Sequence, residues 1–312
     1  MDKKDLLFYD AYEAFYKMAK ESQAFRAFCR DAFGEDLSQD GFGNMEQIEM
    51  LLPYIPENAR ILDIGCGNGK LLGYLQRKTH SRIYGFDYSE EAISTARRLY
   101  SDNSEFRVGI IGETDYPDGL FDVVISMDTM YFAPDMTAFT AQIKRWLKAD
   151  GVFFAGYQEG DVIPKTENIR TALLTKAAEA NGMAYEVRDI TEKTFELLSK
   201  KRNAAIKHRR EFEAEGNGEW FDLLMAQTEC ALVPYAEFRE KMSRYIYVIR
   251  KRIVVSIIIC RAVRYCCRVG ACPHHCHASR DNPSAPFGGT SPFRGGCLSL
   301  EQSERRTAIC LP

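Results

Sequence analysis

The segment Ile61 to Gly69, ILDIGCGNG, constrains this chain more than any other. Ile61, Leu62 and Ile64 form a short apolar run that reads as a buried strand, and glycines follow at alternate positions 65, 67 and 69. Glycine tolerates positive φ and carries no Cβ, so such a run turns the chain tightly and lets its backbone approach a ligand. A helical pattern over 70–77 comes next, and the first N–H groups of a helix have no partners within it. A strand, a glycine turn and a helix in that order make the first unit of a parallel α/β sheet.

The same alternation continues downstream. Strands are predicted at 60–64, 82–86, 105–110, 121–126 and 151–157, with helices at 70–77, 89–100 and 135–147 between most of them. Apolar strands separated by amphipathic helices build a parallel sheet covered on both faces, with right-handed crossovers. Beyond 157 the pattern gives a helix at 167–181, a strand at 185–190, a polar helical stretch at 192–215, a helix at 220–231 and a last strand at 244–250. Ahead of the sheet, Leu7, Tyr12, Phe15, Phe25 and Phe28 recur at helical spacing, and a short helical pattern at 45–52 is stopped by Pro53 and Pro56. The expected fold class is α/β: a Rossmann-like, doubly wound, seven-stranded and mostly parallel sheet with N-terminal helices and a helical insertion before the last strand. Its expected parts are a helical flank or lid at 1–55, a sheet domain at 56–252 with a cap insertion at about 191–242, and a tail at 253–312.

Composition marks the last boundary. Seven of the ten cysteines and none of the sixteen lysines fall in 253–312, where Arg, Ser, Gly and Pro become frequent. The body carries 34 basic and 41 acidic residues, against 7 and 3 in the tail. The tail is expected to be open chain, because its prolines and glycines break any periodicity. Cys267, Cys272, Cys276 and His277 match no paired zinc-ligand spacing, so no metal site is expected. A net charge of −3 and a pI near 6.0 give no general attraction for phosphate backbones or anionic lipid. The longest apolar run, 253–260, is too short to span a bilayer, and charged residues at 2–5 leave no room for a secretory leader. A cytoplasmic protein without a membrane partner is the expectation, with nucleic acid an unlikely one; oligomeric state is not legible.

The glycines also separate two kinds of ligand. A dinucleotide site uses G-x-G-x-x-G to bring a helix N-terminus against a pyrophosphate, yet Lys70 stands here where the last glycine belongs. An acid at Asp63 precedes the alternate glycines, and another at Asp87, closing the next strand in GFDYS, can accept both hydroxyls of a ribose, a device that NAD enzymes share. Together with YPDGLFDVVISMDTMYFAPD at 116–135 and LKADG at 147–151, these motifs resemble those of class I S-adenosylmethionine-dependent methyltransferases of the small-molecule type. The resemblance covers about 40–160. It implies S-adenosylmethionine as cofactor, with Asp63, Gly65, Cys66, Gly67, Asn68 and Gly69 around the methionine moiety, Asp87 on the ribose, Tyr88 beside the adenine, and Met127 in the site. Where many relatives place an acid after the third strand, Gly109 is followed by Ile110, and Glu113 is the expected substitute on the adenine.

A sulfonium methyl is already activated, so the implied reaction is in-line displacement onto a small-molecule acceptor aligned in a dry site. Asp128, Tyr131 and Tyr157 follow predicted strand ends and are the candidate catalytic groups. Two other functions fit the same motifs: an RNA methyltransferase, or a noncatalytic adenosylmethionine-binding regulatory module. The basic run from Lys200 to Arg210 is interleaved with acids and reads as a solvated helix. Trp220 and Phe221 read as core by spacing, with a place in a substrate pocket as the alternative.

Overall fold

The structure, a computed structural model, describes residues 6–39 and 41–252. The expectations for the tail at 253–312 lie outside the described residues. Seven strands form one sheet in the order β3-β2-β1-β4-β5-β7-β6. They are β1 (Arg60–Ile64), β2 (Arg82–Asp87), β3 (Ser104–Val108), β4 (Phe121–Met127), β5 (Leu147–Glu159), β6 (Met183–Asp189) and β7 (Ser243–Lys251). All neighbours among the first five are parallel, and β7 runs antiparallel to both β5 and β6. The chain therefore reverses its sheet order between β3 and β4, and the carboxyl ends of β1 and β4 flank the crevice this creates, where ligands of open α/β sheets bind.

Residue alternation covers both faces of the sheet. Leu62, Ile64, Val124 and Phe153 pack on one side, and Ile61, Val123, Ile125 and Phe154 on the other, all at 0% exposure. The connecting helices α4 (Lys70–Thr79), α5 (Glu90–Leu99), α6 (Met136–Trp146) and α7 (Leu173–Ala180) supply the outer layers. Their starts follow from local chemistry: the Ser89 hydroxyl accepts the Ala92 N–H at 3.0 Å, and Asp135 accepts that of Ala138 at 2.9 Å, each satisfying an otherwise unpaired donor of the first turn.

The two helical regions outside the sheet are one structure. Helices α1 (Tyr9–Glu21) and α2 (Gln23–Phe33) pack against α8 (Thr191–Lys207), α9 (Arg209–Ala214) and α10 (Gly218–Gln227) around Phe15, Phe25, Phe28, Phe212 and Phe221. Rings meet across the join: Phe15 and Trp220 at 5.9 Å, Phe28 and Phe212 at 6.5 Å. Glu215 accepts the N–H groups of Gln23 and Ala24, both at 2.9 Å, and the Ser22 hydroxyl. The expected single helix at 192–215 is broken at His208, between α8 and α9, and α11 (Tyr235–Lys241) is an element the periodicity did not predict. Among the described residues no helix is long and apolar enough to cross a membrane.

Candidate active site

A cavity of about 360 Å³ opens at the carboxyl ends of β1, β2 and β4. Its floor is the turn from Gly65 to Asn68. Gly65 has φ 69°, and a Cβ there would come within 2.5 Å of Thr129 Cγ2. Gly67 has φ 52°, and its Cβ would come within 2.4 Å of the Tyr16 hydroxyl. Both positions thus exclude a side chain by conformation and by space. The Gly67 N–H donates to Asp87 Oδ2 at 2.9 Å, while Asp87 Oδ1 accepts the Ser89 N–H at 2.9 Å. The acid that closes β2 therefore ties the glycine turn to the start of α5. Burial pushes the Asp87 carboxyl up to about 6 against its two backbone donors. Asp63 is raised well above the ordinary range, first by burial and then by the Asp87 charge.

One wall comes from the N-terminal segment. Leu6, Leu7, Tyr12 and Tyr16 line the cavity, and the Tyr88 hydroxyl donates to the Leu7 carbonyl at 3.2 Å. The Tyr9 and Tyr12 rings lie 5.5 and 6.1 Å from that of Tyr88. Ile110, Ile111 and Pro134 complete this apolar end. At the opposite end Asp128, in the left-handed region at φ 60°, faces Gly41 and Gly43 beside Ile48 and Met127. Its Oδ1 pairs with Nη1 of Arg244, a side chain at 0% exposure, and its Oδ2 accepts the Phe42 N–H at 3.4 Å. Arg244 Nη2 donates to Gln47 Oε1 at 3.1 Å, and the guanidinium lies 5.4 Å from the Phe42 ring centre.

Of the residues expected in the site, Asp63, Gly65, Cys66, Gly67, Asn68, Asp87, Tyr88, Met127, Asp128 and Tyr131 line this cavity. Three do not. Gly69 has turned into the sheet's outer layer as the residue before α4, where a Cβ would meet Phe106 at 2.9 Å. Glu113 is exposed in the turn after β3, and Ile110 and Ile111 take the wall instead. Tyr157 is fully buried in the core, its ring edge-on to Tyr247 at 5.8 Å, and burial pushes its phenol up, away from service as a base. Trp220 and Phe221 also lie outside the cavity, in the helical core. Sequence reading missed Thr129, whose hydroxyl donates to the Ile64 carbonyl at 2.8 Å, and the lining residues Leu37, Ser38, Gln39, Gly41 and Gly43. Polar Thr129 so close to Asp128 was a signal available in the motif; a glycine-rich loop distant in sequence offered none.

A strand-end glycine turn, two buried carboxylates beside it and strand order 3-2-1-4-5-7-6 coincide with a match of residues 62–155 to the family model for a methyltransferase domain. Residues 62–155 form a methyltransferase domain. It is 25% identical over 234 residues to phosphoethanolamine N-methyltransferase 3 from Arabidopsis thaliana, covering 69% of this chain and 47% of that protein. The domain's fold is similar to that of Haemonchus contortus phosphoethanolamine N-methyltransferase 2, solved with phosphomonomethylethanolamine and S-adenosylhomocysteine. That match has TM-score 0.64 at 18% identity, over 80% of this chain and 61% of the other. It is similar also to the cyclopropane synthase MmaA2 from Mycobacterium tuberculosis, with TM-score 0.59 at 16% identity, over 77% and 98% of the two chains. The chain spans about half or less of the length of the first curated relatives it matches.

Proposed function

We propose that this chain transfers the methyl group of S-adenosylmethionine to a small molecule bound under its helical layer. The observation that carries the reading is the pair Asp63 and Asp87, two buried carboxylates near adjacent strand ends beside a glycine-rich turn. The residues fit the cofactor by net charge: the charged side chains among the described residues lining the cavity are all carboxylates, and the ligand's ammonium, sulfonium and single carboxylate leave it net positive beside its ribose diol. When bound, that group supplies an electrophilic methyl that needs no further activation.

The chain's own residues then have three tasks. Asp63 and Asp87 hold the cationic and ribose portions, as an acid at a strand end does for a ribose in related α/β sites. Tyr12, Tyr16 and Tyr88 close over them and exclude water, which strengthens each polar contact within. Asp128 and Tyr131 face the opposite end, where the second substrate is aligned for in-line attack. The residues 191–242 act as the cap that selects that substrate, working through α1, whose Tyr12 and Tyr16 line the cavity, rather than through Trp220 or Phe221. The test is calorimetry with S-adenosylhomocysteine alongside transfer of a labelled methyl to metabolite extract. Asp87→Ala is expected to weaken binding by about 1.5–3 kcal/mol, the scale of a hydrogen bond to a charged group; unchanged affinity removes Asp87 from the role.

A further inference from the structure

We infer that the cavity's second substrate presents a hydroxyl or amine to Asp128 and carries no anionic headgroup. This rests on the methyl-transfer reading and narrows its substrate class. Of the three carboxylates lining the cavity, Asp63 and Asp87 lie on the glycine turn's side, and Asp128 alone faces Gly41, Gly43, Ile48 and Met127. Beside Gly41 the side chains of Ser38 and Gln39 also line the cavity, and both are uncharged.

The Asp128 carboxylate is held by one edge and open at the other. Oδ1 is occupied by Arg244, whose second amino group is turned to Gln47 and whose plane is covered by Phe42. Arg244 is 0% exposed and does not line the cavity, so its charge is met only through the carboxylate it pairs with. Oδ2 has a single long contact, the Phe42 N–H at 3.4 Å, and a Cβ on Gly41 would stand 3.2 Å from it. Glycine at 41 keeps that edge clear. An N–H or O–H group entering here finds an oxygen ready to accept. A phosphate or carboxylate finds like charge in a site with little water, where repulsion is least screened. Lys201, at 1% exposure with its ammonium over the Phe33 and Phe42 rings, also stands outside the lining. The relative solved with phosphomonomethylethanolamine therefore differs from this chain in the substrate expected.

The experiment incubates the full chain with methyl-labelled S-adenosylmethionine and a metabolite extract, separates the labelled products from unreacted donor by reversed-phase chromatography, then passes the products over an anion exchanger at neutral pH. Label is expected in the unretained fraction, and millimolar phosphoethanolamine is expected to leave the yield unchanged where ethanolamine or the true substrate competes. Gly41→Ala, which places a methyl against Oδ2, is expected to cut transfer at least about tenfold with S-adenosylhomocysteine affinity and melting temperature unchanged. Label retained by the exchanger, competition by phosphoethanolamine alone, or full transfer by Gly41→Ala each overturns the inference and leaves the transferase reading standing. No labelled product at all, with normal S-adenosylhomocysteine binding, overturns both.

Discussion

The glycine turn and the helical layer above it contribute to one cavity by opposite means. The turn is built from contiguous residues: Asp63 to Gly69 form a single local unit closed by Asp87, so its shape is set by backbone conformation and two short hydrogen bonds. The helical layer joins residues more than 170 positions apart, such as Phe28 with Phe212 and Ser22 with Glu215, through side-chain packing. The first holds a ligand's constant parts by geometry that tolerates almost no variation; the second offers walls that can be repacked. Changes in the turn should therefore alter binding with the fold intact, and changes in the layer should alter stability first.

The largest effect is expected outside both regions, at the ion pair between Asp128, the residue after β4, and Arg244 of β7. Arg244→Met leaves the Asp128 carboxylate buried and unpaired, and removing one partner of a buried ion pair costs about 3–5 kcal/mol. Urea denaturation should show this loss, and Asp128→Asn in the same chain should return part of it; a loss under about 1 kcal/mol would mean that the pair is solvated. Phe28→Ala, at 0% exposure in the helical layer, should cost about 3–4 kcal/mol by cavity formation, with S-adenosylhomocysteine affinity nearly unchanged in the folded fraction. Affinity falling in step with stability would break the contrast just drawn.

The turn should respond to pH instead. With Asp87 raised to about 6, its ionised form is depleted below that pH, so S-adenosylhomocysteine affinity should fall up to tenfold per unit between pH 6 and 5. Stability of the unliganded protein moves the other way. Below pH 6 the folded state holds a proton that the unfolded carboxyl gives up until about 4, so Asp87 disfavours folding as pH rises through this window, by up to about 3 kcal/mol. Melting of Asp87→Asn should lack that component, and calorimetry at pH 5 and 7 checks the binding arm. The smallest effect is expected at Glu215→Ala, which removes the partner of two first-turn N–H groups of α2 at the surface and should cost about 1 kcal/mol.

The same contrast explains what could be read from the residues alone. All seven strands were legible within a few residues, because apolar runs bounded by turns are local signals, and the order of α/β units gave the mostly parallel sheet. Ten of thirteen expected site residues line the cavity, since a strand-end motif carries its geometry with it. Tyr157 was expected at a strand end, but β5 runs on to Glu159 and keeps it inside the ladder. The break at His208 escaped notice in a stretch whose charges continue a helical pattern across it. Nothing in the periodicity of 9–33 or 191–227 indicates that these segments share a core, and the pairing of Asp128 with Arg244 spans 116 residues of chain.

The antiparallel course of β7 has an evolutionary consequence. Asp189, the end of β6, lies opposite Tyr245, near the start of β7, so the segment between them leaves and re-enters the sheet at one edge of the cavity, as the loop of an enlarged β-hairpin. A segment with adjacent ends can be lengthened, shortened or exchanged without disturbing the register of any strand, and Arg244 returns to the same spot each time. On the proposed function, the insert is therefore the part of the domain that can be exchanged for another while the glycine turn and the strands around it keep their places.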